Sequence, residues 1–256
     1  MGSRELKRFL ERFKFRPDLC GYVGIERERF LTRKNGVIVP EAKQFLENMG
    51  DSAWTYELSA CQVEDRTIPR QDPFWIRQNL LQNDYWGGKA ARKLELYLSF
   101  KEVGPRTMRL DVYPDPRYLE IVKHISRARL SAACRVTGTH IHIGVANMEE
   151  AIRVHNVLGR ASGYLAALGD HSRGERLKLY RTMAPDWKVP VYESAEHFFE
   201  VAKKKGFAKN PRNCWNLVRI SAHGTVECRA FGVTPDVDEI MDWVSAIRSI
   251  AKEGTK

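Results

Sequence analysis

The chain has 256 residues, 43% hydrophobic and 29% charged, which is enough to bury a substantial core and too balanced for a disordered tail. Its apolar runs fall far short of a membrane span, and its start lacks the apolar core of a secretory leader, so a cytoplasmic protein is expected. The net charge of +10, from 42 Lys+Arg against 32 Asp+Glu, is scattered without a basic-aromatic repeat, so it speaks for a basic surface and not for a nucleic-acid partner.

Five cysteines, Cys20, Cys61, Cys134, Cys214 and Cys228, are odd in number and form no Cys-x-x-Cys pair, as expected of reduced thiols. No repeat, low-complexity segment or linker divides the chain, and residues 1–256 are expected to form a single domain.

In chain order, Arg4 to Phe13 carries Leu6, Phe9, Leu10 and Phe13 at helical spacing. Tyr22 to Leu31 alternates as a strand, and Trp54 to Thr67 holds one or two more. Pro73 to Asn83 predicts a helix after Asp72. Leu94 to Phe100 and Thr107 to Tyr113 predict strands, Tyr118 to Leu130 a helix, and Thr137 to Val145 a strand. Met148 to Leu168, capped by Asn147, repeats its apolar residues at steps of three and four. A further helix is expected between Ser194 and Gly206, using the usual start and stop residues. Trp215 to Ser221 and Thr225 to Phe231 predict a hairpin through Ala222-His223-Gly224, and Val237 to Ala251 a last helix capped by Asp236. Strand pairs interleaved with helices predict an α+β fold with a largely antiparallel sheet.

Strand alternation decides which side chains converge. In the first strand Glu26 and Glu28 share a face with Tyr22, Gly24 and Phe30, roughly 7 Å from one another at ~3.3 Å per residue. Arg27 and Arg29 fall on the other face and cannot neutralise them there. His140 and His142 share a face of their strand. Glu227 and Arg229 share one with Thr225 and Phe231, while Val226 and Ala230 point to the core. Carboxylates embedded in apolar sequence repel one another and are rarely kept without cations, so these strands together read as a multi-metal site. A His with two carboxylates suits Mg²⁺, Mn²⁺ or Zn²⁺, and Arg suits phosphoryl oxygens. Each piece taken singly also fits a plainer role: a solvated edge strand, hydrogen-bonded core histidines, or a cross-strand ion pair. Glu57 and Glu64 are seven residues apart, which puts them on opposite faces of one unbroken strand; they converge only if a bend, bulge or second strand intervenes.

These motifs, in this order, resemble the ATP-dependent carboxylate–amine ligases of the plant and bacterial glutamate–cysteine ligase type, which share the glutamine synthetase catalytic fold. The markers are Gly24-Ile25-Glu26-Arg27-Glu28, Cys61-Gln62-Val63-Glu64, Pro116-Arg117-Tyr118, Gly138-Thr139-His140-Ile141-His142-Ile143-Gly144, the Arg181 region, and Trp215 to Arg229. The resemblance implies a curved, largely antiparallel sheet with helices on its outer face, and ATP with two or three Mg²⁺ or Mn²⁺ ions. It implies Glu26, His140 and Glu227 around the ion on the nucleotide phosphates, and Glu28, Glu57 and Glu64 around the ion nearer the acyl substrate. It further implies Arg229 on the γ-phosphate, Arg181 steadying the transferred phosphoryl group, and Arg219 near a substrate carboxylate. The activity implied is amide formation through an acyl phosphate, from amino-acid or peptide substrates.

Three departures put the substrate in question: a chain short for the family, Asp170-His171-Ser172-Arg173-Gly174 in place of Ser-Pro-Phe, and Gly232 where an Asp commonly stands. The short chain and positive charge leave room for a larger acidic peptide or protein substrate, and a homo-oligomer stays open. Three competing readings remain: a phosphotransferase on the same fold, a zinc hydrolase built on His140 and His142, and a non-catalytic protein that binds a partner through its basic surface.

Overall fold

In the computed structural model, residues 2–254 are described. Among the described residues ten α-helices and seven strands follow in the order α1 (Gly2–Leu10), β1 (Val23–Thr32), α2 (Ala42–Met49), β2 (Trp54–Tyr56), β3 (Gln62–Arg66), α3 (Pro73–Lys93), β4 (Tyr97–Ser99), α4 (Pro116–Lys123), α5 (Arg127–Arg135) and β5 (Thr139–Gly144). They continue with α6 (Met148–Arg160), α7 (Ser162–Leu168), α8 (Glu175–Met183), α9 (Ala195–Lys204), β6 (Val218–Ser221), β7 (Thr225–Phe231) and α10 (Val237–Gly254). The strands form one antiparallel sheet in the order β2-β3-β1-β5-β7-β6, with β4 paired to the last residues of β1. The α+β expectation holds.

Helix starts follow their caps. Asp72 accepts from the Phe74 amide with Pro73 beginning α3, Asp115 accepts from the Arg117 amide before α4, and Asn147 accepts from the Glu150 amide before α6. The expected helix over Tyr118 to Leu130 is two helices, because Ser126 caps a new one by accepting from the Arg129 amide. The long Met148–Leu168 helix likewise divides at Ala161. Helix α3 runs ten residues beyond the expected Asn83, through Gly87, where a side chain would strike the Trp54 ring. That extension leaves only Tyr97–Ser99 for the strand expected over Leu94 to Phe100. Thr107 to Tyr113 forms no strand; Val112 makes only an isolated bridge to Ser59, in the turn that joins β2 to β3. Helices α2 and α8 were not anticipated.

One face of the sheet is packed. Val23, Ile25, Ile141, Ile143, Val226 and Cys228 meet α6, α7 and α10, while Leu31, Val63 and Trp54 meet α2 and α3. Between these two cores lies a polar knot under β1. Arg27 and Arg29, 2% and 1% exposed, both pair with Asp65 at 2.9 and 2.5 Å, and both reach Asp84 of α3. Every charge in the knot has an opposite neighbour, which is the condition for burying it at all. The opposite sheet face is left for the side chains described next. No two of the five cysteines are bridged, and among the described residues no helix is long and apolar enough to cross a membrane.

Candidate functional site

Register brings the predicted residues into rows. Across β3, β1 and β5, Glu64 stands opposite Glu28 and Glu26 opposite His140; across β5, β7 and β6, His142 stands opposite Glu227 and Glu227 opposite Arg219. Directly opposed residues share a face, so all of these side chains emerge on the uncovered side of the sheet. Glu57 joins them because β2 and β3 are two strands of a hairpin: Thr55 pairs with Glu64, and Glu57 follows β2 at its end. The second strand required by the odd spacing is therefore present. Arg117 and Tyr118 of α4, with Arg212 and Trp215 before β6, complete a cavity of about 190 Å³ over the row.

Three sets of ligand atoms lie within 4.8 Å of one another: Glu26, His142 and Glu227; Glu26, Glu64 and His140; and Glu28, Glu57 and Glu64. The last is the trio expected from the sequence. The first replaces the expected His140 with His142, and His140 moves to the middle set. Glu26 belongs to two sets and Glu64 to two, so the three are contiguous. No set among the described residues holds both histidines.

The donor atoms look starved of positive charge. His140 Nδ1 and His142 Nε2 are buried without a hydrogen-bond partner, although Glu26 Oε2 lies 3.5 Å from the first and 3.3 Å from the second. The Thr225 hydroxyl, 2.8 Å from His142 Nδ1, leaves Nε2 free to face the cavity. Burial lifts Glu28 to about 8, with Glu57 adding to the effect and Arg229 and Arg176 opposing it. Burial likewise raises Glu57, and Glu64 rises well above the usual carboxylate range through burial and its neighbours Glu26, Glu57 and Glu28. Glu57 and Glu64 offer oxygens within 4.8 Å of one another, a like-charge crowding that a bound cation would relieve. This donor set, rich in carboxylate oxygens with single imidazole nitrogens, fits Mg²⁺ or Mn²⁺.

The other end is supplied with cations. Burial opposes ionisation of Glu227, but Arg219, His142 and Arg229 outweigh it and hold the carboxyl far below its ordinary value. Arg219 grips both Glu227 oxygens, at 2.7 and 3.0 Å, and Arg229 donates to Oε1 at 2.6 Å. Burial also disfavours the Glu26 carboxylate, but His142 and His140 more than offset it and the group sits well below the usual range. Burial and Arg229 push His140 down to about 4, so it is a neutral imidazole at neutral pH.

Two expectations are corrected. Arg181 is exposed on α8 with its guanidinium 4.4 Å from the centre of the Trp187 ring, and it does not line the cavity. The inward arginine of that helix is Arg176, for which no sequence pattern argues. It donates to the carbonyls of Thr137 at 2.7 Å, Ala230 at 3.0 Å and Arg229 at 3.1 Å. Those carbonyls flank a shift in the β5–β7 register, where Thr139 faces Phe231 but Ile141 faces Cys228. The irregularity ends the simple alternation of β7, and Phe231 turns into the core to stack on Trp243 instead of sharing the face of Glu227. Gly138 is needed here, since any side chain would run into the Arg176 guanidinium. Gly232 has a similar reason: the Glu102 carboxylate fills the space a side chain would take, accepting from the His171 amide at 2.8 Å.

Residues 22–172 match the profile of glutamate-cysteine ligase family 2. The chain belongs to that family. The match covers β1 to the segment after α7, so Glu227 and Arg229 lie beyond it and are placed by the sheet register alone. A protein of Frankia alni, provisionally named glutamate–cysteine ligase 2-3, is 25% identical over 239 residues, covering 86% of this chain and 27% of its own length. One of Chloroflexus aggregans, provisionally named glutamate–cysteine ligase 2, is 27% identical over 157 residues, 56% of this chain and 40% of that protein. The fold resembles that of a bifunctional glutathione synthetase from Pasteurella multocida, with a TM-score of 0.62 at 13% identity, covering 99% of this chain and 41% of the other. The chain thus spans between about a quarter and two-fifths of the length of these relatives.

Proposed function

We propose that the chain is an ATP-dependent carboxylate–amine ligase, forming an amide through an acyl phosphate and releasing ADP and phosphate. The observation behind this reading is the contiguous row of three carboxylate-rich sets, bordered at the Glu227 end by Arg219 and Arg229. Family membership and the names of the relatives support ligase chemistry.

In this reading Glu26, His142 and Glu227, with His140 beside them, hold divalent cations at the nucleotide end, and Glu28, Glu57 and Glu64 hold one at the acyl end. Bound Mg²⁺ or Mn²⁺ supplies charge neutralisation at phosphoryl and carboxylate oxygens. Arg229 turns part of its fork from Glu227 to the γ-phosphate, and Arg219 keeps Glu227 ionised while that happens. The substrate carboxylate attacks the γ-phosphorus and ADP leaves; an amine then attacks the acyl carbon and phosphate leaves. Positioning and electrostatics do most of this work, and no nucleophilic side chain is required. Amino acids or peptides are the proposed substrates. The oxygen-rich donor sets, each with at most one histidine, favour this reading over a two-histidine zinc hydrolase.

The test is ADP and phosphate release from ATP and Mg²⁺ across pooled amino acids and amines. Release of both products only when carboxylate and amine are present together is the expected result. ADP without free phosphate and without amine dependence would instead mean a phosphotransferase. Silence in every pool, with no ATP binding by calorimetry, removes the ligase reading.

A further inference from the structure

A second cavity, of about 400 Å³, adjoins the row of carboxylates. Leu58, Ile121 and Trp215 line both spaces, so the two share an apolar border. Behind it the walls are mostly apolar: Ile125 and Ala133 from the α4–α5 region, Met183 and Ala184 at the end of α8, and Phe207 after α9. The volume lies within the range of ligand pockets and is far larger than one water needs. Its charged lining residues Glu120, His124 and Asp186 are exposed to solvent, with Arg129 and Lys205 half-buried, whereas its buried lining includes Ala184, Phe207 and Cys214; in the adjoining site the buried lining itself is mostly carboxylate, histidine and arginine.

Resting on the ligase reading, we propose that this pocket seats the non-reacting body of the amine substrate, which is therefore a branched aliphatic or aromatic group. The chemistry of the second step favours such an arrangement. The amine must reach the acyl carbon with its lone pair free, and an apolar approach disfavours the ammonium form. Approach past the carboxylates would favour the ammonium and block attack. The lone pair forms the C–N bond, the C–O bond to phosphorus breaks with its electrons on phosphate, and that phosphate takes the surplus N–H proton. Leu58 follows Glu57 in the chain, and the Trp215 ring lies 5.9 Å from the Arg229 guanidinium carbon, so this border reaches both the acyl end and the arginine end of the row. An amine anchored behind it meets an acyl phosphate held between them.

The experiment measures kcat/KM by ADP release, using the whole chain with ATP, Mg²⁺ and the carboxylate found active in the pools. The amines compared are ammonia, glycine and cysteine against isoamylamine, leucine, phenethylamine and phenylalanine. The bulky apolar group should be preferred by about ten-fold or more. Ala133→Phe, which fills the pocket from the half-buried face of α5, should lower the ratio of bulky to small amine by a similar factor while ATP affinity by calorimetry is kept. Met183→Ala should shift preference toward the larger amines, and thermal unfolding of both variants checks that they fold. Equal use of small and bulky amines, unmoved by either variant, overturns the assignment and leaves the ligase intact. A weakened ATP affinity in Ala133→Phe with the amine ratio unchanged also overturns it, giving the pocket to the nucleotide base. ADP release with no amine dependence at all removes the ligase reading and this assignment together.

Discussion

Glu227 and Glu64 belong to one site and answer to opposite electrostatics. Glu227 is surrounded by Arg219, Arg229 and His142, and its carboxylate pairs with the buried Arg229 and the half-buried Arg219. Glu64 is buried among Glu26, Glu57 and Glu28, which together with burial raise its carboxyl well above the usual range. Replacing each with glutamine should therefore move stability in opposite directions. Glu227→Gln leaves Arg219 and Arg229 without their shared counter-charge, and should cost about 3–5 kcal/mol in urea denaturation with chelator present. Glu64→Gln removes a carboxyl that is a liability without metal, and should raise stability at pH 8 by roughly 1 kcal/mol or more. Both should abolish turnover in the ADP-release assay. Equal signs for the two stability changes would contradict the charge assignment.

Among the elements, the β5–β7 pair shows how far strand periodicity can be trusted. Alternation located Glu26, Glu28, His140, His142 and Glu227 on their faces because each lies in regular register with a neighbouring strand, and it still placed Arg229, which stands at the onset of the irregularity. It failed at Phe231, since one extra residue in β7 shifts the register and local sequence carries no mark of it. Arg176 was illegible for a related reason: its partners are three main-chain carbonyls, which no sequence pattern advertises, whereas Arg181 only sat near a familiar motif. The pairing of Glu57 with Glu64 was undecidable until the β2–β3 hairpin was seen. Arg176 can be tested as the support of the irregular pair. Arg176→Met strands buried carbonyls around Arg229 and should cost about 3 kcal/mol or more in chemical denaturation. Arg176→Lys should recover only part, because one ammonium cannot reproduce the three-pronged fork. If Lys restored full stability, the guanidinium would be acting as a charge alone.

Taken whole, the molecule sets a well-packed apolar sheet face against a largely buried face overloaded with acid, and that imbalance must register in its response to pH. Glu28, lifted to about 8, and the raised Glu57 and Glu64 hold protons in the folded state that they release from the unfolded chain above their ordinary carboxylate values. Their contribution is fully present below pH ~4.5 and is lost as pH rises toward 8. His142, raised by Glu26 and Glu227 against its burial, works in the same direction, its contribution fading above pH ~6.5. His140, lowered to about 4 by burial and Arg229, works the other way: its contribution is present above pH ~6.5 and is lost as pH falls toward 4. The opposing slopes offset one another below pH ~6.5, and between there and pH 8 only the downward ones remain. The metal-free protein should therefore lose thermal stability from pH 6.5 to 8. A divalent cation replaces the trapped protons with fixed charge, so saturating Mn²⁺ should raise the midpoint most at pH 8, by the equivalent of about 3 kcal/mol at a hundred-fold excess over its dissociation constant. Glu28→Gln should flatten the alkaline slope without metal and reduce the gain from Mn²⁺. A midpoint that is level from pH 6.5 to 8 in chelator, and indifferent to Mn²⁺, would mean that the acid row does not collect protons in place of cations, and the proposed metal chemistry would lose its physical basis.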